Sequence, residues 1–148
     1  MTHLILLCRA VDTPEAALHN IRLVDCREDG SCRVEIQYNS TWGTICDDDF
    51  GNRDAMVVCR QLGLQTRGFK GSAVFDISEG AGPIWMDDLR CTGLEDDLSR
   101  CLFRGWGKHD CSHSVDVGVN CGIPSRLWLD LSNNMITTLA GVIPSTLQ

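Results

Sequence analysis

Basic residues are few: Lys and Arg number 13 against 20 Asp and Glu in 148 residues, a formal charge of −7. No basic stripe is long enough to track a phosphate backbone, which argues against nucleic acid as a partner. No run of 18 apolar residues occurs, so the chain does not span a bilayer by itself, and any membrane anchorage is expected outside it. G-x-S-x-G, H-E-x-x-H, a phosphate loop and a dinucleotide fingerprint are all missing. Catalysis has no visible carrier, and the chain reads as a non-enzyme.

C-x-x-C is missing too, although there are nine cysteines. From Cys26 onward they are separated by 6, 14, 13, 32, 10, 10 and 10 residues, too wide for a zinc ribbon or finger. Disulfides are the remaining use for so many thiols, and they place the domain outside the cytosol, in the secretory lumen or beyond the cell surface. The first twenty residues carry only a weak export signal. Leu4-Ile5-Leu6-Leu7-Cys8 is short for a signal core, and no Lys or Arg precedes it. Residues 1–20 are therefore set aside as a leader or linker, expected to be poorly ordered.

What is present is enough for an ordinary core: 43% hydrophobic and 22% charged residues exclude whole-chain disorder. Apolar residues alternate from Ile21 and Leu23 through Val34, Ile36 and Tyr38 to Trp42 and Ile45, the period of half-buried strands, with Asn39-Ser40 as a turn. The period changes at Asn52, an N-cap candidate ahead of Ala55, Val58, Cys59 and Leu62, and Gly63 stands where a C′ glycine belongs. This predicts a helix of about three turns. Pro83-Ile84-Trp85-Met86 reads as a short strand, and Leu94, Leu98 and Cys101 as a second helix of about two turns. Val115, Val117 and Val119 alternate as a closing strand. The fold class is α+β.

Thr41-Trp42-Gly43-Thr44-Ile45-Cys46-Asp47-Asp48, Val58-Cys59-Arg60-Gln61-Leu62-Gly63 and Gly82-Pro83-Ile84-Trp85-Met86-Asp87-Asp88 follow one another, then Cys91-Thr92-Gly93-Leu94-Glu95. Trp106-Gly107, Cys111-Ser112-His113 and Gly118-Val119-Asn120-Cys121 end the series. In these motifs and their cysteine spacing, residues 21–122 resemble the scavenger receptor cysteine-rich domain. The resemblance implies a curved antiparallel sheet cradling one helix, with Cys46 bonded to Cys111, Cys59 to Cys121 and Cys91 to Cys101. The chain is closest to the six-cysteine group, which lacks Cys26 and Cys32. The eight-cysteine group has a cysteine near Cys32 whose partner would stand at Leu64. With that partner missing, Cys26 and Cys32 most simply close on each other across Glu28-Asp29-Gly30, leaving Cys8 as the odd thiol. Residues 123–148 change character: Leu127 to Leu139 fits one leucine-rich repeat, which cannot bury its own apolar face, so a truncated array is expected there.

Acidic loops are the main candidate sites. Asp47-Asp48-Asp49 and Asp87-Asp88 each follow a strand, and such hard oxygens suit Ca²⁺ or Mg²⁺. The resemblance implies a divalent cation at Asp47 and Asp48 together with a Glu just before the Asp of the closing strand. That position is Val115 here, so affinity should fall unless Asp116, Asp49 or an anion of the ligand substitutes. A second candidate cluster is Asp87, Asp88 and Glu95. Arg100, Arg104 and Lys108 form a candidate basic edge for polyanions. Asn39-Ser40-Thr41 is an N-glycosylation sequon. His109 and His113 read as surface loop histidines, since Cys111 between them is needed for a bridge. Trp42, Trp85 and Trp106 read as core or half-buried. The functional expectation is an extracellular module that binds protein or polyanionic ligands in innate defence or cell-surface recognition. The alternative is an accessory domain of a secreted protease or other enzyme.

Overall fold

A computed structural model describes residues 20–65 and 70–122. The expectations for the leader up to residue 19, for Cys8 and for the repeat-like tail lie outside the described residues. Asn20, set aside with the leader, belongs to the fold. Its carbonyl accepts from the Gln37 amide at 2.7 Å and its side-chain oxygen from Gln61 Nε2 at 2.9 Å.

Six strands form one sheet: β1 (Ile21–Val24), β2 (Ser31–Tyr38), β3 (Thr41–Ile45), β4 (Ser72–Val74), β5 (Ile84–Met86) and β6 (Gly118–Asn120). The long strand β2 organises it. β1 lies antiparallel along one edge, while β3 and β6 share the other edge end to end. Beyond them the order runs β4-β6-β2-β3-β5. The sheet is mixed, because β5 runs parallel to β3. A parallel pair needs a crossover connection, and the chain supplies one that contains helix α1 (Asn52–Gln61).

The apolar face of the sheet, with Leu23, Val34, Ile36, Ile45 and Val119, packs on Ala55, Val57, Val58 and Leu62 of the helical segment in one buried core. Asn52 is the first helical residue and Gly51 the N-cap. The Asn52 side chain instead accepts from the Ala73 amide at 2.9 Å, tying β4 to the helix start. Asp54 does the capping: it accepts from Gly51 N–H at 2.9 Å and reaches the buried Cys91 N–H at 2.7 Å. At the other end Gly63, at φ 69°, donates to the Arg60 carbonyl, and the Leu64 amide donates to Cys59. That pair of bonds is a Schellman stop, with Leu64 buried beyond it.

Two further elements differ from the sequence expectation. The second helix is a single 3-10 turn, Leu98–Arg100. The Glu95 carboxylate folds back onto the Thr92 and Gly93 amides and the Thr92 hydroxyl, and Asp97, in extended backbone, caps only the short turn. Leu94, the intended apolar lead, is 85% exposed. The closing strand is also shorter than the valine alternation suggests, because Val115 ends a 3-10 turn, His113–Val115.

Strand β2 is not half-buried either. Arg33 and Glu35, on its outer face, are nearly as buried as their apolar neighbours. A strap around Asp76–Gly80 covers them. Arg33 donates to the Ser78 carbonyl at 3.0 Å, its hydroxyl at 2.8 Å and the Glu79 carbonyl at 3.3 Å, while pairing with Glu35 at 3.0 Å and Asp25 at 2.7 Å. Arg22 meets Glu35 from the other side at 2.6 Å.

Four disulfides cross-link the domain: Cys26–Cys32, Cys46–Cys111, Cys59–Cys121 and Cys91–Cys101. Leu64, where the eight-cysteine group would hold a partner, is a core side chain.

Candidate functional site

The parallel strands β3 and β5 run in the same direction with Ile45 beside Met86, so the residues that follow them emerge side by side. After β3 come Asp47 and Asp48, and after β5 come Asp87 and Asp88. Two acidic pairs 40 residues apart in sequence thus become one cluster. The Cys46 amide donates to the Met86 carbonyl at 2.9 Å, and the Asp47 amide to Val115 at 3.0 Å. A turn follows in which Phe50 N–H donates to the Asp47 carbonyl at 3.0 Å, with Asp49 at φ 61°. The Cys46–Cys111 bridge brings a further carboxylate, Asp110, to the same place.

Asp87 has no exposed side-chain surface and accepts from the Asp88 amide at 2.8 Å, the Asp110 amide at 3.4 Å and Arg104 Nη1 at 3.1 Å. Asp48 is exposed, and its carboxylate lies 3.7 Å from Cys111 Sγ. Desolvation, followed by the charges of Asp87, Asp110, Asp47 and Asp88, raises its pKa above the ordinary carboxylate value. Carboxylate oxygens of Asp48 and Asp87 lie within 4.8 Å of each other. A Ca²⁺ ion takes oxygens at ~2.3–2.6 Å, so two donors at that separation can flank one ion. With Cys46 and Cys111 committed to a disulfide, only oxygens remain as ligands there, which fits a hard cation.

Other candidates go elsewhere. Asp116 is buried, accepting from the Gly80 amide at 2.7 Å and facing His113 Nδ1 at 2.9 Å, so its carboxylate is engaged there and does not replace the missing Glu. Asp49 pairs with Arg90 at 2.6 Å. Glu95 sits beside the Cys91–Cys101 bridge, where the Thr92 amide above all lowers its pKa to about 2 against the opposing effect of burial. The basic edge does not form as a free surface. Arg100 pairs with Asp96 at 3.4 Å, and Arg104 reaches Asp87, Asp88 at 3.7 Å and Asp110 at 3.6 Å. Lys108 is exposed. Asn39 sits exposed in the β2–β3 turn at φ 52°. Trp42, Trp85 and Trp106 are half-buried. Sequence reasoning missed Asp110 and Arg90, and the only signal for the convergence was that each Asp pair directly follows a strand.

His113 is a clamp and not a free surface histidine. Nδ1 faces Asp116 at 2.9 Å and Thr44 Oγ1 at 3.3 Å, while Nε2 faces the Gly82 carbonyl at 2.9 Å. Burial works to lower its pKa, but the hydrogen bonds to Asp116 and Gly82 and the charges of Asp116 and Glu79 outweigh it and raise the value above 6.5. A raised histidine stabilises the fold fully below the unfolded pKa, and that contribution is lost as pH rises through the folded value. Urea midpoints should therefore fall in the wild type as pH rises from 6.5 through the raised folded value, and His113→Asn should flatten the fall. Parallel curves for the two would remove this role.

A family model for the scavenger receptor cysteine-rich domain matches residues 24–122. The chain belongs to that family. It is 41% identical over 141 residues to Lysyl oxidase homolog 2A of Danio rerio, covering 92% of this chain and 19% of that protein. The Homo sapiens Lysyl oxidase homolog 2 is 47% identical over 114 residues, 76% of this chain and 14% of its own length. The Macrophage receptor MARCO of Mesocricetus auratus is 49% identical over 89 residues, 60% of this chain and 17% of its own. The chain thus spans less than a fifth of these relatives. Among solved structures, the dimeric form of the domain from mouse MARCO superposes with a TM-score of 0.55 at 44% identity, covering 60% of this chain and 83% of that one. The third such domain of murine neurotrypsin gives 0.59 at 41% identity, covering 70% and 95%. Curved sheet, single helix and bridges are shared family features. No helix among the described residues is long and apolar enough to cross a membrane.

Proposed function

We propose that the domain is an extracellular recognition module that binds protein or polyanionic ligands, in innate defence or cell-surface recognition, through a divalent cation held at Asp47 and Asp48 with Asp87 behind them. The convergence of two strand-end Asp pairs carries this reading. Like charges that raise the proton affinity of Asp48 also favour a cation, which relieves their repulsion. A bound Ca²⁺ or Mg²⁺ supplies open coordination positions to a sulfate, phosphate or carboxylate. Four disulfides support the oxidising compartment, and a glycan at Asn39 fits an exposed turn in a secreted chain.

Calorimetric titration of Ca²⁺ tests the site. Asp48→Ala should lose most of the heat. Val115→Glu should bind tighter, about tenfold, because it adds a carboxylate next to Asp47 in a shell tuned by ligand charge. Equal heats for all three proteins would end the cation reading. A second reading, an accessory domain of an extracellular oxidase, is favoured by the lysyl oxidase homologs among the relatives. An oxidase domain in the full-length gene product would select it.

A further inference from the structure

The β2–β3 hairpin turns through Asn39 and Ser40 alone, and both have positive φ, 52° and 63°. A two-residue loop with this backbone is a type I′ turn, and Asn takes such left-handed positions more readily than most residues. The register sets Tyr38 opposite Thr41, and side chains directly opposite each other share one face of a hairpin. The acceptor asparagine and the threonine of the sequon thus stand on either side of the turn, next to Tyr38. All three residues are exposed. The Tyr38 ring is nevertheless held in place. Trp106 stacks on it at 4.2 Å, Trp85 meets it in a T-shaped contact at 5.0 Å, and Trp85 Nε1 donates to the Thr41 carbonyl at 2.9 Å. Even so, Tyr38 keeps 39% of its surface open.

We propose that the N-glycan carried by Asn39 docks its first N-acetylglucosamine on the Tyr38 ring, so that this sugar covers the open side of the aromatic cluster and becomes part of the fold. The proposal rests on the secretory reading above and adds what the glycan touches and what it does there. In the attachment step the Asn39 side-chain nitrogen attacks the anomeric carbon of a polyprenyl-diphosphate oligosaccharide in the secretory lumen. The N–C bond forms as the C–O bond to the diphosphate breaks, the lipid diphosphate leaves, and the amide gives up one proton. A β-linked N-acetylglucosamine carries its polar groups around the ring edge and C–H groups on its faces, so it can lie flat on an aromatic ring with its hydroxyls still in water. Linked to the residue next to Tyr38, the sugar meets the ring as an intramolecular neighbour at high effective concentration. Trp106 and Trp85 already fix the ring, so docking has little else to order. β3 begins beside the turn and ends before Asp47, which puts glycan and acidic cluster at opposite ends of that strand.

The test uses the full chain secreted from cultured animal cells whose N-glycans stay oligomannose. Peptide mass spectrometry should find Asn39 occupied, and the sequence has no other N-x-S/T triplet to confuse the result. Thermal unfolding is then compared for the intact glycoprotein, for protein trimmed by an endoglycosidase to the first N-acetylglucosamine, and for protein stripped by an amidase, which leaves an aspartate at that position. The trimmed form should keep the Tm of the intact one. The stripped form should melt about 5 °C lower, the size of one aromatic contact in a small domain. Tyr38→Ser gives up the Trp106 stack and melts earlier whatever the glycan does, so it is read through the difference between its own trimmed and stripped forms, which should shrink to about 1 °C or less. The new aspartate acts equally in both backgrounds. Equal losses on stripping in wild type and Tyr38→Ser, no loss in either, or a trimmed form as unstable as the stripped one would overturn the docking while the recognition module stands. An unoccupied Asn39 in secreted protein would remove the sequon reading and the docking together, and leave the cation site to its own titration.

Discussion

Replacing Cys59 and Cys121 together by Ala is expected to lower stability by about 4 kcal/mol in the chain-entropy model. For a domain of this size, that is a fall in Tm on the order of 20 °C. The bridge closes 62 residues and joins the core face of α1 to the residue just after β6, and both cysteines are fully buried. Removing it frees the unfolded chain over more than half the domain and leaves a gap between helix and sheet. Cys26–Cys32 spans only 6 residues, so its double Ala variant should lose less, about 2 kcal/mol. Thermal unfolding of both variants checks the order, and the reverse ranking would show that the unfolded chain is not what these bridges act on.

Arg33→Ala should cost about 3–5 kcal/mol, the usual result when one partner of a buried ion pair is removed and the other stays behind. Glu35 keeps Arg22, but the Ser78 and Glu79 carbonyls and the Ser78 hydroxyl lose the donor that holds the strap on β2. Hydrogen exchange should show amides around Gly80 opening first, although Asp116 still accepts from Gly80 N–H. Arg33→Met, which fills the same space without charge, should also lose the strap's protection. A variant that unfolds earlier while keeping full protection around Gly80 would refute the clamp.

Much of this fold was legible in the sequence because its signals are local. Alternation from Ile21 to Ile45, the stop at Gly63 and the cysteine series each act within a few residues or through covalent bonds. What escaped depends on neighbours distant in the chain. Asn52 looks like a cap, yet β4 claims its side chain and Asp54 takes over the capping. Arg33 and Glu35 look like the wet face of a strand because nothing nearby announces the Ser78 strap. At the candidate site each Asp pair was visible alone, but their union depends on a parallel register between strands separated by a helical crossover. Arg104 looked like a free cation in part for the same reason: Asp87 and Asp88 come from the segment after β5, while Asp110, only six residues on, needs the turn before Cys111 to reach it.

The placement of β1 and β6 on β2 has a mechanical consequence. Ile21 enters opposite Ile36, whereas Asn120 leaves opposite Ser31, so the start of β1 and the end of β6 lie at opposite ends of the same central strand, about 17 Å apart along it at the usual rise per residue. Tension pulling those ends apart would run along β2 and load both ladders in shear, with all their hydrogen bonds sharing the force instead of breaking one at a time. At the exit the Cys59–Cys121 bond hands that force to the helix through a covalent link. A domain wired in this way can sit in series within a longer chain and carry traction without paying out length.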